Sequence, residues 1–279
     1  MNLSTSKFTF AKAMLYIILW TFVFLSLYPL VWMIFYSLKD NQELFVTNPL
    51  GPPRQPRWGN YVRAWQEYDV PRYFINSVVV TSTSVLGTLV FSLLFAYGTA
   101  RIPWQFSNAM RLYVTMGMFI PIQIILIPLL VMVRDFRLAN SYVSLIIPYI
   151  ASQIPFASLV FFGYLRTLPH EFEAAAAIDG AGPLRTFGQI ILPNVKAPIA
   201  AVTIFVFMFA WNEFTMALIL ISREVMKTLP LGLLRFQGAF HTDWGAMGAA
   251  MVIASIPAVV AYLILSERVQ NAFASGGLK

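Results

Sequence analysis

The sequence has 279 residues, of which 58% are hydrophobic and only 11% are charged, and it has no cysteine. Soluble domains carry about a quarter charged residues, so an ordinary soluble protein is excluded, as are a disulfide framework and thiol chemistry. The net charge is +7, but the basic residues are spread over loops, which favours anionic lipid headgroups over nucleic acid as a partner.

Six apolar stretches are each long enough to cross a hydrocarbon core of about 30 Å as a helix. Backbone polar groups in lipid must be satisfied within the segment, and the stretches are longer than the strands of a membrane barrel. We therefore predict an all-α membrane protein that forms a single domain over residues 1–279. The predicted spans are 13–38, 74–100, 112–133, 138–165, 197–221 and 245–266.

An aromatic stripe follows the first span at helical spacing and predicts a short helix outside the hydrocarbon. Its members are Trp58, Tyr61, Trp65 and Tyr68. Tryptophan and tyrosine favour the headgroup level of a membrane, so one interpretation is burial there. The other is a surface for an external protein.

Residues 166–196, between the fourth and fifth spans, cannot cross the membrane. Each charged side chain in this segment would cost up to about 2.5–3.5 kcal/mol near the centre of a spanning helix. Residues 172–178 favour a helix, Gly180 is suited to end it, and Pro183 suits the first turn of a second helix. The second helix has an apolar stripe, which an interfacial helix lying on lipid also explains. The stripe consists of Leu184, Phe187, Ile190 and Ile191.

Residues 173–193 read EAAAAIDGAGPLRTFGQIILP. This segment resembles the EAA loop of the permease subunits of binding-protein-dependent ABC importers. In that family Glu-Ala-Ala is followed by three residues, a glycine, nine residues and Ile-x-Leu-Pro. Gly180, Ile190, Leu192 and Pro193 stand at the matching positions, and Asp179 begins the common Asp-Gly-Ala.

The match departs from the family at the glutamate. The family position falls on Ala174, whereas the glutamate of this chain is Glu173, one residue earlier and about 100° round a helix. The resemblance implies a pair of coupling helices that docks on a cytoplasmic ATPase subunit. The residues that it assigns to coupling are Glu173, Ala174, Ala175, Asp179, Gly180, Ile190, Leu192 and Pro193.

The resemblance covers most of the chain. NYVRAW, RYFINS, IPIQIILIPL, WNEF and ASGGLK are all similar to sugar-type permeases, most closely to the smaller permease subunit of maltose-type importers. It implies six spans with a cytoplasmic coupling helix pair, the type I ABC importer fold. It also implies a bacterial or archaeal cell membrane with both termini cytoplasmic. The positive-inside rule gives no orientation, because the lysines and arginines divide almost equally between the two sides.

The partners follow from the same resemblance. The chain contains no G-x-x-x-x-G-K-[ST] phosphate loop, so another chain must bind ATP if transport is driven by ATP. The resemblance implies a second related permease, two ATPase chains that bind ATP and Mg, an external solute-binding protein and a sugar substrate. It implies no catalytic residue, metal or cofactor in this chain.

Glu213 is the only acidic residue within the predicted spans, and an intramembrane ionisable residue is a functional candidate. In one interpretation Trp211, Asn212 and Glu213 line the substrate pathway, with the indole as a platform for a sugar. In the other, Glu213 holds neighbouring helices together through hydrogen bonds. Gln123 of the third span is a further pathway candidate, although hydrogen bonding between helices explains it equally.

The C-terminal tail ends in Ser275, Gly276, Gly277 and Lys279. A free terminus of this kind is usually disordered. The resemblance implies instead that the tail reaches the interface between the two ATPase chains.

Two functions of other classes stay open. A self-contained, ion-coupled secondary transporter would show several intramembrane ionisable residues and a repeat symmetry. The sequence has one such acid and no obvious repeat. A non-transporting assembly subunit would leave the loop motif unexplained.

Overall fold

The computed structural model describes residues 10–238 and 242–276, and this part of the chain contains helices but no named strand, which confirms the all-α prediction. The helices are α1 Phe10–Ser37, α2 Gly59–Gln66, α3 Val70–Ala100, α4 Ser107–Met116, α5 Ile122–Asp135, α6 Val143–Leu165, α7 Glu171–Ile178, α8 Pro183–Thr186, α9 Leu192–Asn194, α10 Lys196–Asn212, α11 Thr215–Leu220, α12 Leu229–Gly232 and α13 Trp244–Gly276. Glu43–Thr47 and Phe187–Ile191 are π-helices, and Gly117–Phe119, Glu224–Met226 and Leu233–Phe236 are 3₁₀ turns.

Four helices of the described chain are long and apolar enough to cross a membrane: Lys12–Ser37, Val70–Ala100, Val143–Leu165 and Trp244–Ile264. Two bent pairs bring the number to six if each counts as one span. The pairs are Ser107–Phe119 with Ile122–Asp135, and Pro183–Asn194 with Lys196–Asn212.

The predicted third span, 112–133, differs from the single helix expected, because the axis turns by 101° at Ile120–Pro121. Proline lacks the amide hydrogen for a helical bond and disfavours the helical conformation in the residue before it. Ile120 accordingly has an extended backbone, with φ −86° and ψ 110°. The helix therefore stops and restarts in a new direction.

The helices differ from the predicted spans elsewhere as well. The fourth helix begins at Val143 instead of residue 138, and the sixth continues to Gly276, well past residue 266. The fifth span is interrupted at Glu213, where α10 ends. The late start of α6 follows from Asn140, whose φ of +56° interrupts a helix. Its side-chain oxygen accepts hydrogen bonds from the backbone amides of Ser222 and Arg223, at 2.7 and 2.8 Å.

The chain divides into two compact units. The first consists of residues 1–70 and 235–253, and the second of residues 71–234 and 254–279. The second unit has two apolar clusters among its described residues. One is centred on Phe161, Leu165 and Ile191, and the other on Tyr149, Met216 and Leu220.

The first unit contains a buried lysine just after α1. The Lys39 ammonium donates to the carbonyl oxygens of Asn48 and Gly51, both at 2.6 Å. The buried Glu43 carboxylate accepts from the side-chain amide of Asn48 at 3.1 Å and from the backbone amide of Arg54 at 2.7 Å. These bonds fix the course of the segment between α1 and α2, because a buried polar group without a partner is costly.

The helix α2 is held to the same unit by its polar side chains. Asn60 is fully buried and donates to the carbonyl oxygens of Ser37 and Lys39 at 2.7 and 2.9 Å. Arg63 forms a two-bond ion pair with Asp243, at 2.9 and 3.1 Å. Asn60 therefore attaches α2 to the end of α1, and Arg63 attaches it to the residue just before α13.

The predicted aromatic stripe on α2 is divided between two faces. The Tyr61 hydroxyl lies 2.8 Å from the Ser37 hydroxyl, and Tyr68 stacks on Phe236 at 4.2 Å between ring centres. Trp58 and Trp65, in contrast, are exposed. The tyrosines thus pack within the unit, and the two tryptophans are the exposed members of the stripe.

We expect Lys39→Met to lower the free energy of unfolding by about 1–3 kcal/mol, because the carbonyl groups of Asn48 and Gly51 would lose their donor. The measurement is the thermal unfolding midpoint of the purified protein in detergent. Arg57→Met is the matched control, since the ion pair of Arg57 with Asp40 is exposed and should contribute less than about 1 kcal/mol. Equal midpoints for the two variants would contradict the prediction.

Candidate functional site

The first helix of the 166–196 segment, hereafter the coupling loop, ends in the hydrogen-bond pattern of a Schellman motif. The amide of Ala181 donates to the carbonyl of Ala176 at 2.9 Å, and that of Gly180 to Ala177 at 3.1 Å. Gly180 has a φ of +73°, in the left-handed region that glycine enters without steric cost. A Cβ at this position would meet no heavy atom within 4 Å, so the requirement for glycine is conformational.

Glu173 turns back to its own chain and forms an ion pair with Arg101, the residue that follows α3. The two bonds between guanidinium and carboxylate measure 2.5 and 2.6 Å. The Arg101 side chain is 1% exposed and that of Glu173 is 22% exposed. Arg101 also donates to the backbone carbonyls at 165, 168 and 169, at 3.0–3.1 Å. All five guanidinium donors are therefore used.

The electrostatics of this ion pair favour the charged form of Glu173. Burial raises the pKa of its carboxyl, but the hydrogen bonds and the positive charge of Arg101 outweigh burial and hold the pKa below its usual value. A carboxyl whose pKa is lower in the folded protein stabilises the fold above its ordinary pKa. That contribution is lost as the pH falls through the lowered value, so at neutral pH it is complete.

The rest of the coupling loop presents an apolar tip. Ile178 and Leu184 are 87% and 79% exposed, on either side of the Gly180 turn. Phe187 and Ile191 point the other way: Ile191 is fully buried, and the Phe187 ring lies 5.1 Å from that of Tyr97. Of the apolar stripe predicted on the second helix, Leu184 therefore lies at the exposed tip, and Phe187 and Ile191 pack into the protein core.

The remaining coupling candidates lie on the surface or at its edge. Ala174, Ala175 and Asp179 are exposed, Ile190 is half-buried, and Leu192 and Pro193 are exposed. The family glutamate position, Ala174, therefore lies on the exposed side of α7, while Glu173 contacts Arg101. The two positions therefore differ in their surroundings: Glu173 is paired within the chain, and Ala174 faces outward.

Glu213 is a buried helix cap. One carboxylate oxygen accepts from the Met216 amide at 2.7 Å. The other accepts from the Tyr149 hydroxyl at 2.6 Å and from the Ala217 amide at 3.2 Å. The carboxylate thus satisfies free amides at the start of α11, where negative charge is favourable. It also joins α11 to α6, as the hydrogen-bonding interpretation predicts.

The other candidates for the substrate pathway differ in exposure, so they do not form one exposed surface. Trp211 is buried, with its indole N–H donating to the Ala254 carbonyl at 3.0 Å and its ring against Phe74 and Phe207. Asn212 and Gln123 are exposed. The Asn212 amide returns to the Met208 carbonyl of its own helix, at 2.8 Å.

Two residues of these sites are missed by sequence reasoning. Arg101 is visible only as the first charge after the second span, and Tyr149 only as a hydroxyl within the fourth span. Their partners lie 72 and 64 residues away, so no local pattern pairs them. Within the described residues, no group of three or more histidine or acidic side chains is placed to hold a metal ion.

A family model described as the inner membrane component of binding-protein-dependent transport systems matches residues 88–274. The match includes the coupling loop and more than half of the chain. The chain belongs to this family. It is therefore a membrane permease component of such a transport system, which confirms the predicted family and favours it over a self-contained ion-coupled transporter.

Several permeases of known transport systems are similar to the chain. A diacetylchitobiose uptake permease of Streptomyces coelicolor is 30% identical over 264 residues, 93% of this chain and 86% of its own. A sulfoquinovosyl glycerol transport permease of Agrobacterium fabrum is 31% identical over 255 residues, 91% of this chain and 89% of its own. A trehalose/maltose transport permease of Thermococcus litoralis is 31% identical over 259 residues, 91% and 92% of the two chains.

Solved structures confirm the permease fold. A bacterial ABC transporter involved in the import of the acidic polysaccharide alginate has a TM-score of 0.81 at 18% identity, covering 93% of this permease and 98% of its own chain. A bacterial alginate ABC transporter in complex with a periplasmic protein bound to alginate pentasaccharide has a TM-score of 0.62 at 17% identity, covering 91% of each chain.

The tail of the permease is described in part. Ser275 and Gly276 lie in the last turn of α13, so the helix continues into the segment that the sequence analysis treats as the C-terminal tail. Gly277 and Lys279 lie outside the described residues.

Glu173→Ala is expected to lower the free energy of unfolding of the permease by about 2 kcal/mol, because it leaves the buried Arg101 guanidinium without its counterion. Fully buried pairs cost about 3–5 kcal/mol when one partner is removed, and the partial exposure of Glu173 reduces that figure. The measurement is thermal unfolding at neutral pH. The control is Glu171→Ala, an exposed acid of the same helical turn, which should leave the midpoint within about 1 °C. A midpoint for Glu173→Ala that equals the control would show that the ion pair contributes nothing.

Proposed function

We propose that the permease is one subunit of an ATP-driven sugar importer, forms half of its translocation pathway, and couples ATPase motions to alternating access. The observation that carries the proposal is the coupling loop, with its exposed apolar tip and its buried ion pair. The names of the relatives support the sugar class, since they include importers of trehalose and maltose and of diacetylchitobiose.

The coupling mechanism follows from the contacts of the loop. Ile178 and Leu184 form an apolar tip that a groove on an ATPase subunit would cover. Arg101 bonds both to α7, through Glu173, and to the last backbone carbonyl of α6, so a displacement of the tip reaches α3 and α6 together. Contacts to the ATPase fall to the exposed side of α7, which includes Ala174, because Glu173 is occupied within its own chain.

The proposed complex contains a second related permease, two ATPase chains that bind ATP and Mg, and an external solute-binding protein. Both termini and the coupling loop face the cytoplasm. The tail, Ser275, Gly276, Gly277 and Lys279, contacts the ATPase chains. In the substrate pathway, Asn212 and Gln123 are the candidates for polar contacts, since they are exposed. Glu213 and Trp211 are buried and stabilise the helices around the pathway through their hydrogen bonds.

The proposal is tested by uptake of a panel of labelled sugars into cells that express the permease with its partner subunits. We expect uptake to stop when ATP is depleted and to continue when ionophores collapse the ion gradients at constant ATP. An ion-coupled transporter would give the opposite result, and uptake of no sugar would remove the substrate class from the proposal.

Gly180→Val is expected to reduce transport at least tenfold while membrane insertion is unchanged. Valine disfavours a φ of +73° by more than the roughly 1–2 kcal/mol of an ordinary residue, so the turn that presents the tip would rearrange. The control is Gly182→Val, because Gly182 has a φ of −73° and open space where a Cβ would lie. Uptake and ATPase co-purification are measured for both variants; normal coupled transport by Gly180→Val would contradict the coupling role.

A further inference from the structure

Two arginines contact one phenylalanine ring where α4 packs on α6. The guanidinium carbon of Arg111 lies 4.2 Å from the ring centre of Phe162, and that of Arg166 lies 5.8 Å from it. Contact with an aromatic face stabilises each cation but does not neutralise it. Both guanidinium groups therefore keep their positive charge while they lie against the same ring.

The two guanidinium groups have no carboxylate partner among the side chains that the structure describes. Arg101, a few residues away along the chain, is fully paired with Glu173. Arg111 is partly buried and Arg166 is exposed, so an anion can approach from the protein surface. Guanidinium groups without a carboxylate counterion favour phosphate as a ligand, because their planar N–H donors match its oxygens.

The start of α4 adds to the positive potential. This helix has ten residues, and its N-cap, Phe106, provides no side-chain oxygen for the free amides of the first turn. Arg111 lies in the second turn of the same helix, near its positive end. The arginines and the N-terminal end of the α4 dipole therefore both make the local potential positive, which favours an anion.

The surroundings of the pair are apolar and exposed. Phe106, Leu112 and Tyr113 are 58%, 58% and 74% exposed, and Trp104, also partly exposed, donates its indole N–H to the Gly98 carbonyl at the end of α3. Arginine beside exposed aromatic and aliphatic side chains is the combination found at the headgroup level of a membrane. Free phosphate would gain nothing from these side chains, whereas the acyl chains of a phospholipid would cover them.

The depth of the site agrees with a lipid ligand. Arg166 caps the C-terminus of α6, and the ends of α3 and α6 are joined through Arg101, which donates to the Leu165 carbonyl. Both helices qualify as membrane spans, so the two arginines lie at the level where the hydrocarbon ends. We propose that Arg111, Arg166 and the first turn of α4 bind the phosphate of an anionic phospholipid, with Phe162 holding the two guanidiniums in place.

The test is native mass spectrometry of the transporter complex, purified with this permease and exchanged into mixtures of phosphatidylglycerol and phosphatidylcholine. We expect the complex to retain phosphatidylglycerol selectively. The double variant Arg111→Gln/Arg166→Gln should bind it at least about tenfold more weakly, since each basic residue near a membrane surface contributes about a factor of five. The matched control is Arg134→Gln/Arg137→Gln, which removes two exposed arginines, one at the end of α5 and one just after it, and should weaken retention much less than the Arg111→Gln/Arg166→Gln variant does.

Three outcomes would overturn the proposal. Equal retention by the double variant and the wild type would show that these arginines do not hold the lipid. Displacement of the lipid by millimolar inorganic phosphate would make the ligand a free anion. Loss of an associated protein subunit with unchanged lipid retention would assign the pair to a protein interface. Should the double variant fail to assemble, Arg166→Gln alone, at an exposed position, is expected to weaken retention severalfold.

Discussion

The guanidinium of Arg101 is almost completely buried at the point where a membrane helix ends, and each of its five donors has an acceptor within the chain. A buried charge without such partners would cost several kcal/mol, so Arg101 and its acceptors must move together. Three of them are backbone carbonyls, one on the last residue of α6 and two just after it, and the others belong to Glu173 of α7. The hydrogen bonds of Arg101 therefore connect the C-terminal ends of α3 and α6 to α7, the first helix of the coupling loop.

The same constraint explains two other buried charges of the permease. Lys39 is buried on two carbonyl oxygens, and Glu213 is buried on a tyrosine hydroxyl and two backbone amides. In each case a side chain that would be unfavourable in an apolar environment satisfies backbone groups that an irregular segment leaves open. Charge therefore appears where helices are interrupted: after α1, at the break between α10 and α11, and beneath the coupling loop.

The elements that could be predicted are those determined by local sequence. Hydropathy indicates the apolar spans, and the motif around Gly180 indicates a turn with positive φ, which the structure contains. The break at Pro121 could not be predicted, because prolines in membrane helices are often accommodated by neighbouring segments. The roles of Glu173 and Trp211 could not be predicted either, since a residue's partner across the fold leaves no trace in its immediate neighbours.

The first unit is built from two separated parts of the chain, and this arrangement has a consequence for biosynthesis. Arg63 pairs with Asp243, 180 residues later, and Asn41 donates to the carbonyl of Thr242. At about 5–20 residues per second, a ribosome needs roughly ten to forty seconds to make the intervening chain. During that interval residues 71–234, the larger part of the second unit, are made before Asp243 and Thr242 become available to Arg63 and Asn41. The first unit is therefore completed late in synthesis, after most of the second unit has left the ribosome.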